Sequence, residues 1–149
     1  MDIKFKKVHT AKDLTISILV IAAGAGLYFA NASLGIIIGI CGVLLLILYK
    51  SGNKVEGQDA VLCKTSKDLA LSCRPAVMNF LSGQEEGLEL RDAGNGASIR
   101  VEAYCNAQAH IAYVQLFDFS NYEYKAVTDM VELNGPRADK FIAGLKKLG

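Results

Sequence analysis

Residues 14–49 contain no Asp, Glu, Lys, Arg or His, and this absence excludes more than any other in the chain. A water-soluble fold of 149 residues has no need of so long an uncharged run, because even its core helices keep one solvated face. As a single helix the run would extend about 54 Å at ~1.5 Å per residue, against a hydrocarbon layer of roughly 30 Å. Its polar cluster Asn31-Ala32-Ser33 divides it into residues 14–30 and 34–49, each near the lower limit for a spanning helix. The expectation is an α-helical transmembrane hairpin of two spans.

Other absences narrow the function. Without an ionisable group inside either run, a proton relay or ion path has nothing to be built from. Excess positive charge is small: the net charge is +1 and the pI about 7.6. Residues 51–149 hold eleven basic and thirteen acidic side chains, a net −2. That is not a nucleic-acid-binding footprint, which needs a basic face. There is no Cys-x-x-Cys. Cys63, Cys73 and Cys105 stand ten and thirty-two residues apart, with His110 five further on, and zinc sites are recognised by closer ligand pairs. An odd number of cysteines in this part also speaks against a disulfide framework, so these three and Cys41 read as reduced. Gly94-Asn95-Gly96 lacks the lysine and following helix of a phosphate loop, and no paired-carboxylate motif is present. Cys73 beside Arg74, or Cys105 near His110, could make an activated thiol. Both cysteines fall in apolar patterns, however, which reads as core. No catalytic residue, metal ligand or cofactor is assigned.

The charges that are present orient the hairpin. Lys4, Lys6, Lys7 and Lys12 oppose only Asp2 and Asp13 ahead of the first run, and Lys50 and Lys54 follow the second. Short flanks rich in lysine stay in the cytoplasm, so both termini are expected there, the setting being a bacterial inner membrane. Residues 14–23 followed by Ala23-Gly24-Ala25 also fit a cleaved signal peptide, but the second apolar run favours an anchor. Asn31-Ala32-Ser33 matches a glycosylation sequon and reads better as a turn between helices. Helices in lipid associate through small residues that let backbones approach. Ala22 and Gly26 in the first run and Gly35, Gly39 and Gly42 in the second are spaced to form such faces.

After a basic N-terminus (1–13), the hairpin (14–49) and a linker (50–57), residues 58–149 suffice for one small α+β domain. Residues 59–64 read as a strand. For 66–81 two readings compete: Leu69, Cys73, Val77 and Phe80 fall at helical spacing, which favours a kinked helix, yet Pro75 permits a strand followed by a short helix with proline in its first turn. Residues 87–92 and 98–105 alternate around Ala93-Gly94-Asn95-Gly96 and read as a hairpin. Residues 109–119 and 122–133 read as a second pair, giving an antiparallel sheet. In residues 137–148, Ala138, Phe141, Ile142, Leu145 and Leu148 recur at three and four. This is an amphipathic C-terminal helix, headed by Pro136, that covers the sheet; a role at the membrane surface is the alternative.

The aromatic tract Tyr113, Phe117, Phe119, Tyr122 and Tyr124 is the remaining feature. Alternation puts Tyr113, Phe117 and Phe119 on one face, as in a sheet core. Were the strand-turn tip exposed, Phe117, Phe119, Tyr122 and Tyr124 would make a partner-binding knob. The leading expectation is an integral membrane protein whose tethered cytoplasmic domain binds another membrane protein or a second copy of itself, as an accessory or scaffold. The runner-up is a membrane-tethered enzyme or thiol-dependent module.

Overall fold

The computed structural model describes residues 3–149, and the chain divides into two compact units, Phe5–Lys54 and Val55–Gly149. Among the described residues are four α-helices and seven β-strands, an α+β fold.

The first unit is built on α1 (Ala11–Tyr28) and α2 (Ala32–Leu48). Thr10 starts α1 with a capping box: its hydroxyl accepts from the Asp13 N–H at 3.2 Å, and the Asp13 carboxylate accepts from the Thr10 N–H at 3.0 Å. Two otherwise unsatisfied helix donors are thereby used. Asn31 caps α2, its Oδ1 accepting from the Leu34 N–H at 3.2 Å, so the polar triplet supplies the start signal of the second helix. A Cβ built on Gly24 would lie 2.5 Å from the Gly39 nitrogen, one on Gly35 2.5 Å from the Tyr28 Cα, and one on Gly42 2.6 Å from Ile21 Cγ1. As the position on α2 rises its neighbour on α1 falls, so the helices are antiparallel and their backbones touch. At their open end the Asp13 carboxylate also accepts from the Ser51 N–H at 2.8 Å and the Ser51 hydroxyl at 2.6 Å. One buried carboxylate thus ties the start of the first helix to the residues after the second. β1 (Phe5–Val8) and β2 (Gly52–Val55) are hydrogen-bonded neighbours in this region. Residues 50–57 therefore hold a strand rather than a plain linker, and β1 lies within the basic N-terminus.

Among the described residues one helix, α1, is long and apolar enough to cross a membrane; α2 carries no charged residue, whereas α1 has Lys12 and Asp13 in its first turn, but α2 is only 17 residues long.

In the second unit β3 (Val61–Ala70), β4 (Ser98–Asn106) and β5 (Ile111–Ser120) form an antiparallel meander. The free edge of β5 is shared by β6 (Glu123–Ala126), opposite its second half, and β7 (Val131–Asn134), opposite its first. α3 (Arg74–Ser82) and α4 (Pro136–Lys146) lie on one face. Leu69, Ile99, Val101, Val114 and Leu116 from the sheet are buried with Val77 and Phe80 of α3 and Phe141 and Ile142 of α4. The rings of Phe80 and Phe141 stack at 6.3 Å.

Three sequence expectations are corrected here. Residues 66–81 are not a kinked helix: β3 continues to Ala70, a 3₁₀ turn covers Leu71–Cys73, and α3 begins at Arg74 with Pro75 in its first turn. Proline lacks the N–H that a first turn leaves unpaired anyway. Leu69, Val77 and Phe80 share a spacing because all three face one core. Residues 87–92 do not pair with β4, because β3 and β5 already occupy both its edges. They touch the end of β3 through a single bridge, Leu69 to Asp92, and Leu88 and Leu90 pack on the core instead. Residues 122–133 are two strands rather than one. Between them the Val127 N–H bonds to the Leu116 carbonyl, and the Leu116 N–H to the Thr128 hydroxyl.

Candidate functional site

Strand alternation decides which aromatics are available. The register sets Val101 opposite Leu116 and Ala103 opposite Val114 on the core face, and Arg100 opposite Phe117 and Tyr104 opposite Tyr113 on the other. Tyr113, Phe117 and Phe119 do share a face, but it is the face away from the two helices, which corrects their assignment to the main core. β5 is apolar on both sides, so its pattern alone could not tell which side the helices would cover. Tyr113 is nonetheless buried, and its phenol is pushed above the usual tyrosine range by desolvation and by the charge of Glu132.

β5 and β6 meet in a two-residue turn, Asn121-Tyr122, with φ of 53° and 62°. Both central residues are left-handed, the geometry that follows the natural twist of a hairpin. Asn tolerates it; a bulky residue such as Tyr does so only at a cost. The turn throws Tyr122 outward until it is 95% exposed, and Phe119 behind it is 52% exposed. Phe119 faces Tyr124 across the strands with ring centroids 5.0 Å apart. The Arg100 guanidinium sits 3.8 Å from the Tyr124 ring centroid and is held in turn by Asp68, at 2.8 and 3.1 Å. The hydrogen bond from Arg100 keeps the Asp68 carboxyl below its ordinary range, and the same bond raises Arg100. Tyr124 and Phe119 are thereby fixed from the sheet outward, leaving Tyr122 and one side of Phe119 as the free apolar surface. Phe117 is half-buried behind them. A hollow of about 240 Å³ beside the tip is lined by Leu71, Ala97, Asp118 and Phe119 among others. Leu71, 48% exposed, and Arg100 belong to this surface and were not singled out from sequence. Leu71 was hidden inside the helical reading of 66–81. Arg100 gave only an alternation signal.

The cysteines and histidine separate. Cys73 is buried at the end of the 3₁₀ turn, where its sulfur accepts from the Arg91 N–H at 3.2 Å. The neighbouring Arg74 turns to Asp118, at 3.1 and 3.0 Å. His110, itself at φ 54°, pairs through Nδ1 with Asp139 of α4 at 2.8 Å. Only Cys63 and Cys105 come together, as directly opposed residues of β3 and β4. Among the described residues no group of three or more His, Cys, Asp or Glu side chains could hold a metal ion. Of the small residues in the hairpin, Gly35 and Gly42 lie where the backbones touch, as does the Gly39 main chain through its approach to Gly24. A Cβ on Gly26 would meet open space, and Ala22 is exposed. Gly24 is the contact glycine of α1, and it stands inside the run Ala22-Ala23-Gly24-Ala25-Gly26, where spacing alone did not favour it.

Comparison of the chain with protein-family models, with curated proteins and with solved structures finds no match.

Proposed function

We propose that the chain is a two-span membrane protein whose α+β domain lies in the cytoplasm and binds a second protein through the β5–β6 tip, acting as an accessory or scaffolding subunit. The observation that carries the binding reading is Tyr122, a nearly fully exposed aromatic in a left-handed turn position that glycine would fill without strain. Rigid aromatics with few rotatable bonds are what protein interfaces concentrate at their centres. The partner is another membrane protein or a second copy of the chain, because the domain is tethered at the bilayer; nucleic acid is disfavoured by the charge balance.

Support for two spans comes from the outer surface of the helix pair. Leu19 and Ile18 on α1 and Ile47 and Leu48 on α2 are all more than half exposed, and such side chains suit lipid. The 17 residues of α2 give a helix of about 26 Å, which a slightly thinned bilayer accommodates. The lysine flanks support termini in the cytoplasm of a bacterial inner-membrane protein.

Two experiments test this. Reporter fusions at the C-terminus and at the Asn31 turn should show opposite sides of the membrane; reporters on the same side overturn the hairpin. Quantitative co-purification in mild detergent should recover a partner, or self-association, that the double variant Phe119→Ser, Tyr122→Gly loses. A partner retained undiminished by the folded variant overturns the tip as the binding surface.

A further inference from the structure

We propose that Cys63 and Cys105 form a reversible intramolecular disulfide by exchange with a low-molecular-weight disulfide, at a cleft between the β3–β4 sheet and α4. The two residues are directly opposed in an antiparallel ladder and point to the same face. The Leu71 N–H bonds to the Ala97 carbonyl at 3.0 Å. Counting by twos from that pair along the unbroken register reaches Cys63 and Cys105, which are therefore a hydrogen-bonded pair. Such pairs have Cα atoms about 5.5 Å apart, inside the roughly 4.4–6.8 Å range that disulfides span. Their Cβ atoms, at about 4.5–5.5 Å, must draw in slightly to reach the ~3.5–4.5 Å of a disulfide. The bond can form without moving the strands apart, and the small distortion keeps it reducible.

The cleft gives the exchange its room. It encloses about 580 Å³ and is lined by Val61, Cys63, Cys105, Ile142 and Leu145, with Lys67 and Lys146 also on its wall. Two lysines beside an apolar floor suit a disulfide that carries carboxylates, such as oxidised glutathione. Cys63 is exposed and Cys105 half-buried, which orders the steps. Burial, and to a smaller extent the neighbouring Cys63, pushes the Cys105 thiol up to about 11, so Cys63 attacks first. The Cys63 thiolate displaces one thiolate from RSSR and forms the mixed disulfide Cys63–S–SR. Cys105 then loses its proton, attacks the Cys63 sulfur and expels the second thiolate. In balance, two cysteine thiols and RSSR give one protein disulfide and two RSH, the protein losing two electrons and RSSR gaining them.

The full chain in lipid nanodiscs, equilibrated with glutathione buffers of increasing oxidised share, acid-quenched, alkylated and mapped by mass spectrometry, tests this. A Cys63–Cys105 linked peptide should accumulate as the oxidised share rises and disappear on reduction. Buried Cys73, bonded to the Arg91 main chain, should stay alkylatable only on unfolding. Cys105→Ser should instead trap glutathione on Cys63, and Cys63→Ser should abolish both products. A linked peptide absent at every ratio, a mixed disulfide that persists on Cys63 in the wild type, or linkage to Cys73 or Cys41 in preference would each overturn the proposal.

Discussion

Replacing Tyr122 with glycine separates folding from binding, because the two should respond in opposite directions. Tyr122 holds φ at 62°, where an L-residue with a bulky side chain loses about 1–2 kcal/mol. Glycine removes that penalty but enlarges the entropy of the unfolded chain, an opposing effect of roughly 0.4–1 kcal/mol. With the side chain 95% exposed, almost no buried area is lost. The net expectation is a fold more stable by about 0.5–1 kcal/mol, or an unfolding midpoint higher by roughly 2–8 °C for a domain of this size. Thermal unfolding in detergent, followed through the β-sheet circular dichroism, measures it. The same variant should lose partner binding, since the tip aromatic is what a partner would bury. Destabilisation by 1 kcal/mol or more would show that Tyr122 packs on the domain and would refute the reasoning, as would binding left unchanged.

The remaining predictions rest on the helix contact and the outer sheet face. Gly24→Ala should weaken the hairpin by about 1–3 kcal/mol, because its methyl would stand 2.5 Å from the Gly39 backbone and backbone cannot yield as a side chain does; Gly26→Ala, in open space, should be neutral. Disulfide crosslinking between introduced cysteines on the two helices reads both, and equal effects would contradict the contact. Asp68 is held below its ordinary carboxyl value of 3.8 by Arg100. Its ion pair therefore stabilises the fold fully above that value and loses its contribution as the pH falls through the lower folded value. After solvent screening the contribution is about 0.5 kcal/mol, so the gap in denaturant midpoint between wild type and Asp68→Asn should be small at neutral pH and close as the pH falls through that lowered value. A gap that widens in acid would reverse the sign of this account.

Much of the molecule was legible where one physical signal acted alone. Pro136 and the spacing of Phe141, Ile142 and Leu145 defined α4; the break between residues 109–119 and 122–133 fell within one residue of the β5–β6 turn; a run without charge marked the helix pair. Legibility failed where two signals coincided. Leu69, Val77 and Phe80 mimic one helix because a strand and a helix point them into the same core, and only Pro75 betrayed the boundary. Ala93-Gly94-Asn95-Gly96 is a real turn, with the Gly94 N–H bonded to the Asp92 carboxylate at 2.9 Å, but turn chemistry does not say which strand the flanking residues will meet. Asp13 lay outside the apolar run and so looked like a simple flanking charge, whereas two of its four hydrogen bonds with Thr10 and Ser51 come from Ser51, 38 positions away. The tip aromatics were recognisable by type; their exposure depended on which face of β5 the helices cover, and that is decided by α3 and α4 rather than by β5 itself.

The central proposal, that the β5–β6 tip is where the α+β domain of a membrane protein meets a partner, is tested most directly by photocrosslinking in intact membranes. A benzophenone amino acid placed at position 122 should give one discrete adduct, with another membrane protein or with a second copy of the chain. The same probe at position 95, exposed in the turn before β4, should give none. Crosslinks of equal yield at both positions, or none at position 122, would contradict the account.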